Sequence, residues 1–163
     1  MGTAKPRLKR AVRDISSNCL GLRARVVERV VSGIFDPQLR PLGLRITQVT
    51  LLTAIARAEL VTPRALGQAL DLEKSTVSRT LDRMIERGWV ETVAVKDARS
   101  YGVRLTSLGE DTLQEAYPAW RAAQRELEAL LGGSLGSGLH DIAARLNPAL
   151  AEGRSAGASS KRE

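Results

Sequence analysis

The stretch "LEKSTVSRTLDRMIERGWV", Leu72 to Val90, decides the fold. Its apolar side chains recur at Val77, Leu81, Met84 and Ile85, a spacing of three or four that lines one face of a helix, and Gly88 ends it. The other face carries Lys74, Ser75, Thr76, Ser78, Arg79 and Arg83. It is basic and rich in hydroxyls, and short of the acidic partners that a merely solvated face interleaves. Just upstream, "VTPRALGQAL" starts a helix cleanly: Thr62 can cap the free backbone N–H groups, and Pro63 takes the first helical position, where its missing N–H costs nothing. Only "DLEK" separates the two helices, so they meet at a tight angle, as in a helix-turn-helix. Downstream, "WVETVAVKDARSYGVRL" is rich in Val, Thr, Trp and Tyr around a polar centre from Lys96 to Ser100, and reads as a hairpin. A hairpin directly behind the second helix is a wing.

Working outward, the residues from Ile15 to Phe35 place Cys19, Leu22, Val26, Val27, Val30, Val31 and Ile34 at helical spacing, and "FDPQLRPLGL" breaks that pattern. Thr47 is the expected N-cap of a helix burying Val49, Leu52 and Ile55. On the other side, Ser107 and Glu110 stand at capping-box spacing and open a long helix that runs to Gly132 and Gly133, with a kink expected at Pro118. A last helix sets Leu135, Leu139, Ile142, Leu146 and Leu150 on one stripe. The expected organisation is a basic flexible N-terminus (1–14), a dimerisation helix and linker (15–45), a winged helix-turn-helix domain (46–106), dimerisation helices (107–150) and a disordered tail (151–163). The fold class is mainly α with a small β-hairpin wing: a winged helix-turn-helix with long dimerisation helices.

Charge and composition narrow the function. Lys and Arg number 25 against 18 Asp and Glu, a formal net charge of +7, which makes a polyanion the first partner to consider. No apolar run approaches the roughly 20 residues of a membrane span, and "MGTAKPRLKRAVRD" is not followed by a signal-peptide core, so a cytoplasmic protein with no membrane partner is expected. Cys19 is the only cysteine and His140 the only histidine, leaving no parts for a thiolate zinc site or a hydrolytic triad. No metal, no cofactor and no enzymatic activity are expected.

The basic face suits double-stranded DNA. With the helix N-terminus foremost in the major groove, Lys74, Ser75 and Thr76 meet phosphates or base edges, Ser78 and Arg83 share that face, and Arg79 reaches the O6 and N7 acceptors of guanine. Arg99, at the wing tip, suits a narrow minor groove. The plainer alternatives are a solvated face and a loop ion pair between Asp97 and Arg99. The leucine stripe Leu135, Leu139, Ile142 and Leu146 would be an exposed apolar patch unless a second chain covered it, so a homodimer is expected.

Taken together, "LRPLGLRITQVTLL", "STVSRTLDRMIERGWV", "DARS", "LTSLGE" and "PAWRAAQ", in this order over roughly Ile15 to Leu146, resemble the MarR family of winged helix-turn-helix transcription regulators. The resemblance implies a homodimer formed by the first and last two helices, a palindromic operator and, usually, repression relieved by an effector. It further implies that Asp97 braces the wing while Arg99 reaches DNA, and that a ligand pocket lies between the dimer helices and the DNA-binding lobe. Arg23, Tyr117, Trp120 and Arg121 are the nearest side chains able to hold an aromatic or anionic effector. Trp120 equally suits plain packing, since a large ring is usually buried for its area. Some members that sense organic peroxides use a cysteine in the first helix. Here Cys19 stands farther from Thr47–Gln48, and the companion tyrosine positions hold Arg23 and Gly33 or Phe35. Cys19 is therefore read first as a buried, inert thiol, and second as the thiol of a redox-sensing repressor, with Arg23 the neighbouring positive charge. A winged helix that binds protein rather than DNA is a third reading, which expects an acidic or apolar reading face.

Overall fold

The computed structural model describes residues 6–95 and 101–148. Six helices and one hairpin follow in the order α1 (Pro6–Asn18), α2 (Leu20–Leu39), α3 (Ile46–Ala58), α4 (Pro63–Leu70), α5 (Lys74–Glu86), β1 (Val90–Ala94), β2 (Tyr101–Leu105) and α6 (Ser107–Leu146), with a single 3-10 turn, Arg40–Leu42, between α2 and α3. This is the expected mainly helical winged fold. The core gathers side chains from most elements: Leu39, Leu44, Leu51, Leu52, Ile55, Leu66, Val77, Leu81, Met84, Val90 and Val103 are all fully buried.

The N-terminal region departs from the sequence reading. Residues 6–14, assigned there to a flexible segment, belong to α1, whose apolar residues Leu8, Val12 and Ile15 repeat at helical spacing. The single helix expected from Ile15 is divided at Cys19, whose φ of −70° and ψ of 105° are extended. At its other end α2 runs on through Pro37 to Leu39 rather than breaking at "FDPQLRPLGL". An interior proline costs about 3 kcal/mol. Burial of Phe35 and Leu39, at about 1.5–3 kcal/mol each, is enough to offset it.

Capping also differs in detail. Thr47 is inside α3, not its cap: Arg45 is the N-cap residue, its N–H donates to Gln48 Oε1 (3.0 Å), and the Ile46 N–H donates to Asp36 Oδ1 (2.9 Å) across the α2–α3 junction. Thr62 caps α4 as expected, accepting from the Ala65 N–H at 3.2 Å, with Pro63 first in the helix. At α6 the cap is Thr106, one residue before the expected Ser107, and its Oγ1 accepts from the Gly109 N–H at 3.1 Å. Pro118 lies inside a continuous helical run, and the backbone leaves helical geometry instead at Gly132 (φ 69°, ψ 164°), dividing α6 into limbs 107–131 and 133–146.

The turn from α4 to α5 depends on Asp71 in the left-handed region (φ 52°, ψ 44°), with the N–H groups of Asp71 and Leu72 both donating to the Gly67 carbonyl. Gly67 lets the helices close up: a Cβ there would come within 3.1 Å of the Leu72 carbonyl oxygen and 3.4 Å of Val77. The hairpin pairs Val90 with Leu105 through Ala94 with Tyr101 in antiparallel register. Reciprocal backbone bonds between Val61 and Val103 (3.1 and 2.8 Å) tie it to the segment entering α4. Among the described residues no helix is long and apolar enough to cross a membrane.

Candidate nucleic-acid interface

Helix α5 is held from one side only. Val77, Leu81 and Met84 are buried and Ile85 is half-buried, whereas Lys74, Ser75, Thr76, Ser78, Arg79 and Arg83 are all exposed. The 3.6-residue period that buries the apolar set therefore presents the basic and hydroxyl-bearing set together. Asp82 and Glu86 are also exposed on α5, but among the described residues the only ion pairs are Arg10–Asp14 and Arg104–Glu91. Arg79 and Arg83 thus form no ion pair with a carboxylate among the described residues.

Two open grooves flank α5. On one side Lys74 and Ser78 line a groove of about 720 Å³ with Arg64, Gln68 and Tyr101, which joins the helix-turn-helix to the start of β2. On the other side Thr76 and Arg83 line a groove of about 920 Å³ against the α2–α3 junction. Arg79 lines neither groove and stands on the ridge between them. A helix with one arginine on its crest and hydroxyls and cations on its shoulders can place the crest in a DNA groove while the shoulders meet phosphates. Asp97 and Arg99 of the wing lie outside the described residues. Strands β1 and β2, which carry that loop, are braced by a 2.6 Å bond from Arg104 Nε to Glu91 Oε1.

An apolar groove of about 490 Å³ lies between α3 and α6, lined by Val49, Thr53, Leu113, Tyr117 and Trp120, with Arg57 also on its wall. Tyr117 and Trp120 stack at 6.0 Å between ring centroids and 18° between planes, and the Arg121 guanidinium lies 6.0 Å over the Tyr117 ring. Three of the four effector candidates are therefore neighbours. Arg23 is not among them, because its guanidinium donates to the carbonyls of Ser17 and Cys19 at the α1–α2 junction. The cation missing from the sequence reading is Arg57, four residues after Thr53 on the same helix, a spacing that could have revealed it.

Cys19 is half-exposed rather than enclosed by the apolar face, and its Sγ accepts from the Leu22 N–H at 3.4 Å as the N-cap of α2. The candidate dimer residues lie on the far limb of α6, where Leu135, Leu139, Ile142 and Leu146 are 65%, 40%, 56% and 81% exposed in a single protomer. Leu150 lies outside the described residues.

Comparison with known proteins agrees with this geometry. The family model described as MarR family matches residues 42–100, the span from the α2–α3 junction to the wing. A structure of the M. tuberculosis transcriptional regulator MosR in complex with DNA is 33% identical, with a TM-score of 0.70, covering 84% of this chain and 99% of that one. The chain belongs to the MarR family. Proteins of the MarR family are transcription regulators, not enzymes. The multiple antibiotic resistance protein MarR of Escherichia coli (strain K12) is 28% identical over 99 residues, 60% of this chain and 69% of the relative. A mutant E. coli MarR bound to operator DNA shares the fold, with a TM-score of 0.72 at 24% identity over 82% of this chain and 96% of that one. The MarR-family match runs from α3 through β1 to the wing loop and leaves out α1, α2, β2 and α6.

Proposed function

We propose that this MarR-family chain is a sequence-specific DNA-binding repressor that binds a palindromic operator as a homodimer and is released by a small-molecule effector. One observation carries the reading: α5 buries Val77, Leu81 and Met84 and exposes Lys74, Ser75, Thr76, Ser78, Arg79 and Arg83 between two open grooves. Arg79 is assigned to a guanine edge, Lys74, Ser75, Thr76, Ser78 and Arg83 to phosphates and neighbouring edges, and the wing residue Arg99 to the minor groove. The DNA-bound MosR relative, similar along almost its whole length, supports the same use of this lobe.

The homodimer is supported by the exposed stripe Leu135, Leu139, Ile142 and Leu146 together with Leu8, Val12 and Ile15 on α1, apolar surface that one protomer leaves in water. The effector reading is supported by the groove between α3 and α6, where Tyr117 and Trp120 offer flat apolar faces and Arg57 offers positive charge to a small aromatic or anionic molecule, with Arg121 over the Tyr117 ring beside it. A gel shift on the DNA upstream of the chain's own coding region tests the central reading. A discrete complex that resists scrambled competitor is expected. Equal loss to cognate and scrambled competitor would remove sequence specificity.

A further inference from the structure

The groove between α5 and the α2–α3 junction holds charge that the base-reading face does not use. Arg40, Arg45, Arg83 and Arg87 line it together with Thr47, Thr76 and Thr80, against two carboxylates, Asp36 and Glu86. Among the described residues none of these four guanidinium groups forms an ion pair. Asp36 is partly committed, since its Oδ1 accepts from the Ile46 N–H. Arg40 and Arg45 are exposed on the junction, opposite the α5 shoulder. Arg87 is fixed more firmly: its guanidinium lies 5.0 Å over the Trp89 ring and passes so close to Gly43 that a Cβ there would be 2.5 Å from Nη1. Gly43, at φ 69°, thus supplies both the bend into α3 and the space for Arg87.

Unpaired arginines beside hydroxyls, on the shoulder of an exposed basic helix, are the chemistry that holds a phosphodiester chain: planar donors for the phosphate oxygens, and a charge balance in the groove that stays positive. We infer that this groove seats one strand of the DNA backbone, with Arg40, Arg45 and Arg87 as phosphate-positioning residues that set the register of α5 without reading bases. The inference rests on the DNA-binding reading above and adds three residues from outside the helix-turn-helix and the wing.

Its signature is a change in salt dependence without a change in specificity. Each lost phosphate contact lowers the steepness of log K against log salt by about one unit, or about two for a dimer with both half-sites engaged. Arg40→Ala and Arg45→Ala should each make the slope shallower by that amount and weaken cognate and scrambled duplexes by the same factor. Arg45→Lys should restore the slope. Arg125→Ala, which removes an exposed charge from α6, should leave it as in the native chain. Arg87→Gln also removes the contact with Trp89, so its thermal midpoint is measured alongside, and the inference is judged on Arg40 and Arg45. A native slope in both alanine variants would overturn it, as would a loss confined to the cognate duplex, which marks base reading. If the native chain retarded neither duplex, the DNA-binding reading itself would fail first.

Discussion

The winged lobe and the terminal helices use apolar residues in opposite ways. In the lobe, Leu51, Leu52, Ile55, Leu66, Val77, Leu81 and Met84 are removed from water within one chain. In α1 and the far limb of α6, residues just as apolar face outward: Leu8, Val12, Ile15, Leu135, Ile142 and Leu146 are all more than half exposed. The lobe therefore carries its own reason to fold, whereas the termini need a surface that another molecule supplies. The family match follows the same division, since it begins after α2 and ends short of α6.

The sharpest way to break this contrast is to charge the outward stripe. Leu139→Asp with Ile142→Asp should turn a dimer at low micromolar concentration into a monomer by sedimentation velocity, while the winged lobe keeps its helical signal. A monomeric native chain would leave the stripe without a partner and remove the basis for a palindromic operator. Next in size is the inward set. Leu81 is fully buried, so Leu81→Ala should cost about 2–5 kcal/mol and lower the thermal midpoint at every protein concentration. Leu139→Ala, by contrast, should lower it mainly at low concentration, where association is weak. Equal, concentration-independent losses would mean that both stripes are core.

A smaller effect separates reading from holding on α5. Arg79 stands on the ridge and lines neither groove, so Arg79→Ala should cost about 1–3 kcal/mol on the cognate operator and much less on scrambled DNA, relaxing specificity with little change in thermal midpoint. Arg99→Ala should weaken both duplexes more evenly. Titrations on the two duplexes at several salt concentrations distinguish them. Native affinity in both variants on a verified operator would move the DNA surface elsewhere.

The winged lobe was legible because its signals are local. Thr62–Pro63, the Val77–Leu81–Met84 period and the Val-rich runs around a polar centre each act within a few residues. What escaped depends on partners distant in sequence. The cap of α3 reaches back ten positions to Asp36, and α2 survives Pro37 because Phe35 and Leu39 meet a core built elsewhere. Helix α1 was hidden by its own charge: Arg7, Lys9, Arg10 and Arg13 drew attention from Leu8, Val12 and Ile15. At the candidate site the face of α5 could be read in advance, while Arg40, Arg45 and Arg87 reach it only through the fold.

Cys19 carries the smallest expected effect, at the joint between the two regions. The sequence suggests a side chain on an apolar face. The structure instead makes it the N-cap of α2, half-exposed, with Sγ accepting from the Leu22 N–H at 3.4 Å. A thiol is a weak acceptor and a serine hydroxyl a good one, and serine ranks among the favoured N-caps. Cys19→Ser should therefore keep or slightly raise the thermal midpoint, while Cys19→Ala, which leaves that N–H without its side-chain acceptor, should lose up to about 1 kcal/mol. If the thiol only caps, Cys19→Ser should bind the operator as the native chain does, and a stoichiometric organic peroxide should release neither protein. Release of the native chain alone, with Cys19→Ser still bound, would show instead that oxidation at this joint reaches the reading helix, because a sulfenic acid or mixed disulfide needs the sulfur that serine lacks. Capping and sensing are thus separated by one substitution: stability reports the cap, and peroxide release reports the thiol.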